Sequence, residues 1–191
     1  MDVAAWRRGK RTELYAARKA LTPEQRHEAA RKIACGLDGH CALHQPAWVG
    51  LYWPIKYEPN LLAWARGSAS NLRFCLPVVV TRGHSLEYWR WTPGDAMQSG
   101  VWGIQVPARR EVVAPDLMIA PLVGFDRDRY RLGNGGGYFD RTLAARPDRP
   151  FVIGVGYASC ELETIYPQPH DIPMDLILTE KSWWTRTSPK S

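Results

Sequence analysis

Residues 133–137, Gly-Asn-Gly-Gly-Gly, form a loop of the kind that binds phosphate. Glycines let the backbone approach an anion closely, and the unpaired N–H groups at the start of a following helix point toward it. Asp140 comes just after the loop, where its carboxylate could hold a metal ion that bridges phosphate oxygens. The loop matches neither the Walker A nor the G-x-G-x-x-G pattern, so a glycine-rich turn without a ligand is the alternative.

Other residues also have side chains suited to a binding site. Asp175 precedes an apolar run near the expected strand ends, where α/β proteins bind ligands, and is a second candidate for a metal. Glu58 lies among aromatic residues and could recognise the polar edge of a flat heterocycle while the rings stack on its faces. Trp102 could line a pocket. The alternatives are a helix cap for Asp140, turns at Asp171 and Asp175, an exposed loop acid at Glu58 and a tryptophan that pins its loop to the core.

Further clusters lack the partners that their chemistry would need. His170 and Asp171 resemble part of a catalytic dyad, but no serine or cysteine elbow accompanies them, so hydrolase chemistry is weakly supported. The cysteines and histidines of residues 35–44 do not have the spacing of a zinc site.

Apolar runs alternate with helical patterns along the chain. Thr22, Pro23 and Gln25 form the capping box of a helix that is expected to end at Gly36 or Gly39. Continuous apolar strands between helices favour a mostly parallel sheet that is covered on both faces. We therefore predict a single α/β domain of three α/β/α layers over residues 1–191, with a loose tail at 185–191. The expected helices are 4–20, 22–39, 60–66 and 142–145, and the expected strands are 48–53, 72–80, 85–91, 116–121, 151–157 and 176–179.

Two irregularities qualify this pattern. Pro77 lies inside an expected strand and indicates an edge strand or a bend. Residues 92–115 are rich in proline and glycine and predict a long irregular connection, of the kind that is often functional. The active site is expected at the strand ends, between the glycine loop and residues 92–107.

Composition and charge limit the kind of partner. The chain has 191 residues, a formal net charge of +6 at pH 7 and a pI of about 9.3, which favours anionic partners such as nucleotides, carboxylate-bearing substrates or nucleic acid. The cysteines form no C-x-x-C pair, the first residues lack the apolar stretch of a signal peptide, and no apolar run approaches the ~20 residues of a membrane span. These features predict a cytoplasmic protein that does not enter membranes.

The motifs, taken in order, resemble the 5-formyltetrahydrofolate cyclo-ligase family, also called methenyltetrahydrofolate synthetases. The most specific block is Phe125-Asp126 followed by residues 131–141, Arg-Leu-Gly-Asn-Gly-Gly-Gly-Tyr-Phe-Asp-Arg. The basic first helix is similar to that of the family, and Tyr52-x-Pro54-x-x-x-Glu58 to its folate-contacting segment. The resemblance covers almost the whole chain. Its remaining blocks are Leu76-Pro77, Trp91-x-Pro93-Gly94-Asp95, Gly103-Ile104-x-x-Pro107 and His170-Asp171-x-Pro173-x-Asp175.

The resemblance implies an ATP- and magnesium-dependent enzyme that converts 5-formyltetrahydrofolate to 5,10-methenyltetrahydrofolate and releases ADP and phosphate. Phosphorylation would turn the formyl oxygen into a leaving group, and N10 of the folate would then close the ring. Catalytic roles would fall to Arg131 and Tyr138, and magnesium would bind Asp140 and Asp175. The implied folate contacts are Trp53, Glu58, Trp102 and Tyr138. The implied ATP contacts are Arg7, Lys10, Arg11, Arg131, Leu132, Gly133, Asn134, Gly135, Gly136, Gly137, Tyr138 and Phe139.

Some positions depart from the family pattern. Val106 stands where glutamate is usual, Asn60 and Leu61 replace an acid and a threonine, Phe139 replaces a tyrosine, and Arg7 replaces a lysine. The folate side is affected more than the nucleotide side, which motivates a second hypothesis, a nucleotide- or folate-binding protein without turnover. A basic nucleic-acid binder is a third, although no recognition signature accompanies the charge. Under the leading hypothesis the protein is a monomer, and its partners are ATP and 5-formyltetrahydrofolate, including polyglutamylated forms.

Overall fold

One β-sheet surrounded by helices organises the residues that the computed structural model describes, 1–68 and 70–185. The helices are α1 (Val3–Ala20), α2 (Pro23–His44), α3 (Leu62–Ser68) and α4 (Tyr138–Ala144). The strands are β1 (Val49–Gly50), β2 (Phe74–Val78), β3 (Glu87–Trp91), β4 (Met97–Ser99), β5 (Gln105–Pro107), β6 (Val112–Val113), β7 (Leu117–Pro121), β8 (Gly124–Phe125), β9 (Arg131–Leu132), β10 (Phe151–Val155), β11 (Leu176–Leu178) and β12 (Trp183–Thr185).

The main sheet has eight strands in the order β12-β11-β10-β7-β1-β2-β3-β6, and β4-β5 and β8-β9 form two small separate sheets. Its central strands, from β11 to β2, pair in parallel, whereas β12, β3 and β6 join antiparallel at the edges. All residues of β7 are buried, as expected for a strand covered on both faces. The predicted α/β class with a mostly parallel sheet is confirmed.

Alternate residues of β7 belong to different apolar cores on the two faces of the sheet. Leu117 and Ile119 pack in the core that contains buried residues of α2 and α3. Met118 and Ala120 pack in the core that contains buried residues of α1 and α4. Because successive side chains of a strand point to opposite faces, helices cover both sides of the sheet in three layers.

Helix α2 continues beyond the glycines that were expected to end it. Its capping box is present: the Gln25 N–H donates to Thr22 Oγ1 at 3.2 Å and the Thr22 N–H to Gln25 Oε1 at 2.8 Å. The expected stop at Gly36 or Gly39 is wrong, because a helical glycine costs only about 1 kcal/mol and packing of an apolar face outweighs it. The helix ends at Gln45, whose φ of 46° is the left-handed conformation that closes many helices.

The two glycines of α2 provide a matched pair of substitutions. A Cβ at Gly36 would lie 2.9 Å from both Cδ atoms of the buried Leu178, whereas a Cβ at Gly39 would meet nothing within 4 Å. Gly39→Ala should therefore raise the free energy of unfolding by up to about 1 kcal/mol. Gly36→Ala should be less stable than Gly39→Ala by roughly 1–3 kcal/mol, because the added methyl displaces Leu178. Denaturant titration measures both values, and equal stabilities would contradict the packing argument.

Of the two alternatives predicted for the strand that contains Pro77, an edge strand or a bend, the edge strand is wrong, because β2 is internal in the sheet. β2 pairs with β3 along its whole length but with β1 only at Phe74 and Cys75. Pro77 lies past the last residue that pairs with β1, so its missing N–H removes no bond to that strand. The connection at 92–115 is also more regular than predicted, since it holds the β4-β5 hairpin and the edge strand β6.

The end of the described chain is part of the sheet. Thr185 was expected in a loose tail, but it belongs to β12 and pairs with Leu176 of β11, so that part of the prediction is wrong. The rest of the predicted tail, 186–191, lies outside the described residues. Among the residues that are described, no helix combines the length and apolarity needed to cross a membrane.

Candidate active site

A cavity of about 750 Å³ lies at the carboxyl ends of the central parallel strands. β1 leads into Tyr52 and Trp53, β7 ends at Pro121, and all three residues line the cavity. The glycine loop lines it too, and so does Trp102 of the 92–107 connection. Ligands of open α/β sheets bind at this edge, so the fold offers a site where the sequence analysis expected one.

Most of the predicted site residues lie around this one cavity. The exceptions are Lys10 and Asp175. Lys10 forms a surface ion pair with Glu13 at 2.5 Å and lies over the Trp6 ring, 5.9 Å from its centroid. The predicted residues that line the cavity are Arg7, Arg11, Trp53, Glu58, Trp102, Arg131, Leu132, Gly133, Asn134, Gly135, Gly136, Gly137, Tyr138, Phe139 and Asp140.

The glycine loop is held between β9 and α4. Gly137, with a φ of 64°, occupies the N-cap of α4, and Gly135 has a φ of 95°, so both need the conformational freedom of glycine. A Cβ at Gly133 would collide with the guanidinium of Arg131. The Gly133 carbonyl accepts a hydrogen bond of 2.8 Å from Arg11 Nε, which ties the loop to α1. The loop thus offers backbone groups next to two arginines.

Arg131 is a buried cation that is bound to Asp140. Its Nη2 donates to Asp140 Oδ2 at 3.1 Å, and its guanidinium lies over the Phe139 ring, 4.8 Å from the centroid. The Arg131 side chain is 6% exposed, and its Nε has no hydrogen-bond partner among the described residues. The other carboxylate oxygen of Asp140 accepts from the Ile172 N–H at 3.2 Å. Arg131 therefore holds Asp140 with one nitrogen of its guanidinium, while a second one, the buried Nε, has no partner among the described residues.

A second arginine–carboxylate pair joins α1 to the segment before β11. Arg7 donates to both carboxylate oxygens of Asp171, at 2.5 and 3.3 Å, and to the carbonyls of Ile165 and Tyr166 at 3.0 and 2.9 Å. Burial alone would raise the pKa of Asp171, but the hydrogen bonds from Arg7 and from the Gln168 N–H lower it below its usual value. Asp171 closes a turn, as the alternative interpretation expected, since its N–H donates to the Gln168 carbonyl at 2.9 Å. Its carboxylate also lines the cavity and is ionised.

Asp175 lies away from the cavity, at the amino end of β11. Its Oδ2 accepts from the Val152 N–H at 2.8 Å and its Oδ1 from Arg149 at 2.6 Å. Because β11 is parallel to β10, the residue that precedes β11 lies at the edge opposite the carboxyl ends. The predicted metal site requires Asp175 and Asp140 to lie close together, and the structure separates them. It places Asp171 near Asp140 instead.

Glu58 is a buried acid, only 5% exposed. Its Oε2 accepts from the Ile55 N–H at 3.0 Å and its Oε1 from Asn134 Nδ2 at 3.2 Å. Burial raises the pKa of Glu58 above its usual 4.5, while these hydrogen bonds and the nearby cations Arg18 and Lys56 oppose the rise. A buried carboxylate with spare lone pairs can accept hydrogen bonds from a flat, N–H-bearing ligand.

Arg18 supplies positive charge near Glu58 and was missed by the sequence analysis. It is 1% exposed, and its Nη2 donates to the Leu122 carbonyl. Its Nε and Nη1 have no partner among the described residues. A buried guanidinium is always charged, so Arg18 favours the ionised form of acids around it. One arginine within a basic helix gives no signal in the sequence that it is buried.

Aromatic side chains complete the cavity. The rings of Trp102 and Tyr138 meet edge to face with centroids 5.6 Å apart. Trp102 is 61% exposed and has a φ of 59°, an unusual conformation for a large side chain. Tyr138 Oη accepts from the Gly83 N–H at 3.2 Å. Trp102 therefore contacts the site and does not pin its loop into the core, which was the alternative.

The departures on the folate side, Val106, Asn60 and Leu61, lie outside the cavity lining, whereas Arg7 and Phe139 line the cavity. Val106 is buried with Val78 and Trp89. Leu61 is 2% exposed in the core, and the Asn60 side chain accepts from the Leu62 N–H at 3.0 Å and so caps α3. These residues stabilise the fold around the site, and they give no support to a loss of chemistry. Tyr52, Pro77, Ile104 and His170 lie in the family-like sequence blocks but were not predicted as site residues, and they line the cavity. The lining residues that were also not predicted and are not named in the blocks quoted above are Ile55, Lys56, Val79, Leu86 and Pro121.

Comparison with known proteins decides the family. The sequence model described as the 5-formyltetrahydrofolate cyclo-ligase family matches residues 3–180. The chain belongs to this family. A 5-formyltetrahydrofolate cyclo-ligase of Haemophilus influenzae is 30% identical over 177 residues, which are 88% of this chain and 94% of the relative. One of Escherichia coli K12 is 29% identical over 181 residues, or 87% of this chain and 96% of that protein.

Solved structures agree with this assignment. The NMR structure of Aquifex aeolicus 5,10-methenyltetrahydrofolate synthetase superimposes with a TM-score of 0.84 at 28% identity, covering 97% of this chain and 95% of that one. A synthetase from Mycoplasma pneumoniae shares the fold, with a TM-score of 0.74 at 23% identity over 95% of this chain and 100% of that one. Membership of the cyclo-ligase family gives the chain the activity of a 5-formyltetrahydrofolate cyclo-ligase, with ATP and folate as substrates.

Proposed function

We propose that ATP and 5-formyltetrahydrofolate bind side by side in the 750 Å³ cavity, with the triphosphate on the glycine loop and the pterin against Glu58. One observation supports this most: a phosphate-binding type of loop and a buried carboxylate line the same cavity and are joined by the hydrogen bond between Asn134 and Glu58. Reaction between the two substrates needs this adjacency, because the γ-phosphoryl group must reach the formyl oxygen.

The nucleotide side of the cavity provides hydrogen-bond donors for the negative charge that is spread over the phosphate oxygens. Backbone N–H groups of the glycine loop would bond to phosphate oxygens, together with Arg11 and Arg131, which line the same cavity. Arg7 would act on the same side by holding Asp171, since its guanidinium is already bonded to that carboxylate. We include Arg131 and Tyr138 as catalytic residues because both line the cavity where the groups would react.

The carboxylates of Asp140 and Asp171 fit magnesium. This hard cation takes oxygen ligands and is usually bound through one or two carboxylates together with substrate phosphates. Both residues line the cavity, and Asp140 accepts the N–H of Ile172, which directly follows Asp171. We therefore assign the second carboxylate to Asp171, where the sequence suggested Asp175. Magnesium held there would neutralise negative charge on the phosphates.

The folate would be recognised by the shape of its side of the cavity and by Glu58. Pterin N–H groups would donate to the Glu58 carboxylate while Trp53, Trp102 and Tyr138 contact the ring. An N-formyl oxygen is a poor leaving group, so the γ-phosphoryl group is transferred to it first. N10 then attacks the formyl carbon, the ring closes and phosphate leaves, which yields the methenyl product, ADP and phosphate. The protein aligns the substrates and excludes water.

Charge and cysteine chemistry support the remaining parts of the proposal. The formal net charge of +6 would favour the glutamate tail of a folate, including polyglutamylated forms. All four cysteines are free, as expected in a reducing compartment such as the cytoplasm. We propose that the enzyme works there as a monomer, since one chain supplies both the glycine loop and Glu58 that the reaction would need.

An absorbance assay tests the proposal. Purified protein is mixed with 5-formyltetrahydrofolate, ATP and magnesium, and the near-ultraviolet absorbance of the methenyl product is followed. The absorbance should rise only when both ATP and magnesium are present, and a chelator should stop it. A rise without ATP, or no rise with both, would contradict the proposed reaction.

A further inference from the structure

A chain of side-chain hydrogen bonds links the nucleotide side of the cavity to the folate side. Lys56 Nζ donates to Tyr15 Oη at 3.4 Å, Tyr15 Oη donates to Asn134 Oδ1 at 2.6 Å, and Asn134 Nδ2 donates to Glu58 Oε1 at 3.2 Å. Asn134 is the tip of the glycine loop, Glu58 belongs to the segment after β1, and Tyr15 lies on α1. Three separate parts of the fold therefore meet at one amide.

The direction of the donors in this chain is fixed by its two ends. A lysine can only donate, and in this structure both carboxylate oxygens of Glu58 accept, Oε1 from Asn134 and Oε2 from the Ile55 N–H. With Lys56 at one end and Glu58 at the other, the Asn134 amide must turn its nitrogen to Glu58 and its oxygen to Tyr15. Hydrogen bonds aligned in one direction polarise one another and strengthen the set. Lys56 also lies over the Tyr15 ring, 4.5 Å from its centroid, which holds the phenol in place.

The chain gives the glycine loop a position that depends on Glu58. Asn134 is the one loop residue with a side chain. Other side chains bond only to loop carbonyls, Arg11 to Gly133 at 2.8 Å and Arg141 to Gly136, so contacts of the loop's own side chains come from Asn134. A nucleotide that orders the loop also orders Asn134 and, through it, the carboxylate that would receive the pterin. Two ligands that need the same segment ordered favour each other's binding, since the ordering entropy is lost only once.

We propose that Tyr15 is a positioning residue that couples the two substrates, because it holds Asn134 of the glycine loop on the carboxylate of Glu58. The inference rests on the proposed function, in which the loop binds ATP and Glu58 binds folate. Tyr15 itself does not line the cavity, so it acts only through Asn134. Bound nucleotide should then tighten folate binding, and by linkage bound folate should tighten nucleotide binding by the same factor.

Tyr15→Phe tests the coupling with little change in shape, because it removes one hydroxyl from a half-exposed side chain. The dissociation constant of 5-formyltetrahydrofolate is measured by calorimetry with and without a non-hydrolysable ATP analogue and magnesium. The wild type should bind folate about tenfold more tightly with nucleotide present, a coupling typical of linked sites. In Tyr15→Phe this ratio should fall to about twofold or less, while melting temperature and folate affinity without nucleotide stay close to wild type.

Tyr130→Phe is the matched control, since it removes a tyrosine hydroxyl outside the chain of bonds and should keep the wild-type ratio. The reciprocal titration, nucleotide with and without folate, should give the same ratios. A Tyr15→Phe ratio equal to wild type, or a wild-type ratio near one in an enzyme that turns over, would overturn the coupling and leave the proposed function standing. Absence of folate binding by the wild type would overturn the proposed function, and the coupling with it.

Discussion

Replacement of Asp140 by asparagine should lower the turnover number by roughly a hundredfold or more, as when one group that stabilises transition-state charge is removed. The carboxylate lines the cavity, pairs with Arg131 at 3.1 Å and accepts the Ile172 N–H at 3.2 Å. Asparagine keeps the size and one oxygen acceptor, but it loses the charge that would hold magnesium and orient Arg131. Steady-state kinetics at saturating substrates measure the turnover number, and far-ultraviolet circular dichroism verifies the fold.

Asp175→Asn is the matched control, because it makes the same chemical change at the opposite edge of the sheet. Its oxygens bond to Arg149 and to the N–H of the buried Val152, so the loss should appear in stability, by roughly 1–3 kcal/mol, and not in turnover. Asp171→Asn should resemble Asp140→Asn. Full activity of Asp140→Asn, or equal losses of turnover at Asp140 and Asp175, would refute the metal assignment.

Glu58→Gln should raise the KM for 5-formyltetrahydrofolate by roughly 10- to 100-fold, the value of one hydrogen bond to a charged group. Glutamine keeps the shape and can still accept the Ile55 N–H, but it presents no negative charge to the pterin N–H groups. The KM for ATP should change much less, since the nucleotide contacts lie on the glycine loop. Kinetics with each substrate varied in turn separate the two effects, and a folate KM near wild type would place the pterin elsewhere.

The same variant should remove a pH dependence. Burial raises the pKa of Glu58 in the folded protein above its usual 4.5, so kcat/KM for folate should fall as the pH drops through that raised value. In Glu58→Gln this acid limb should be absent. The sign for stability is opposite: the folded protein holds the proton more tightly than the unfolded chain, so stability falls as pH rises between the two pKa values. The ligand-free Gln variant should therefore unfold no more easily than wild type at neutral pH.

Local signals in the sequence predicted much of the fold. The capping box at Thr22, the apolar run of β7 and the glycine loop before α4 each depend on neighbours in sequence, and the structure has each of them where expected. Helix ends were harder to predict, since Gly36 and Gly39 look like stops until the packing of α2 is known. The edge position considered for the strand of Pro77 was wrong for a related reason. Whether a strand tolerates a proline depends on whether its neighbour needs the missing N–H at that residue.

The structure brings most of the predicted site residues together around one cavity, and the exceptions have physical causes. Asp175 precedes a strand that is parallel to its neighbour, so it had to lie at the amino edge of the sheet, away from a site at the carboxyl edge. That signal was present in the sequence, because the parallel sheet itself was predicted. The contact between Tyr15 and Asn134 joins residues 119 positions apart, and no local pattern predicts it. Burial of Arg18 likewise depends on tertiary packing alone.

The pairing of Arg7 with Asp171 has a consequence for how the enzyme is made. These residues are separated by 164 positions, so a nascent chain lacks one side of the cavity until Asp171 has left the ribosome. Contacts of such separation form late, because the entropy of closing the loop between them must be overcome first. A truncated translation product would carry the basic helix and the glycine loop without Asp171. ATP consumption would therefore be confined to chains that have been synthesised at least as far as Asp171.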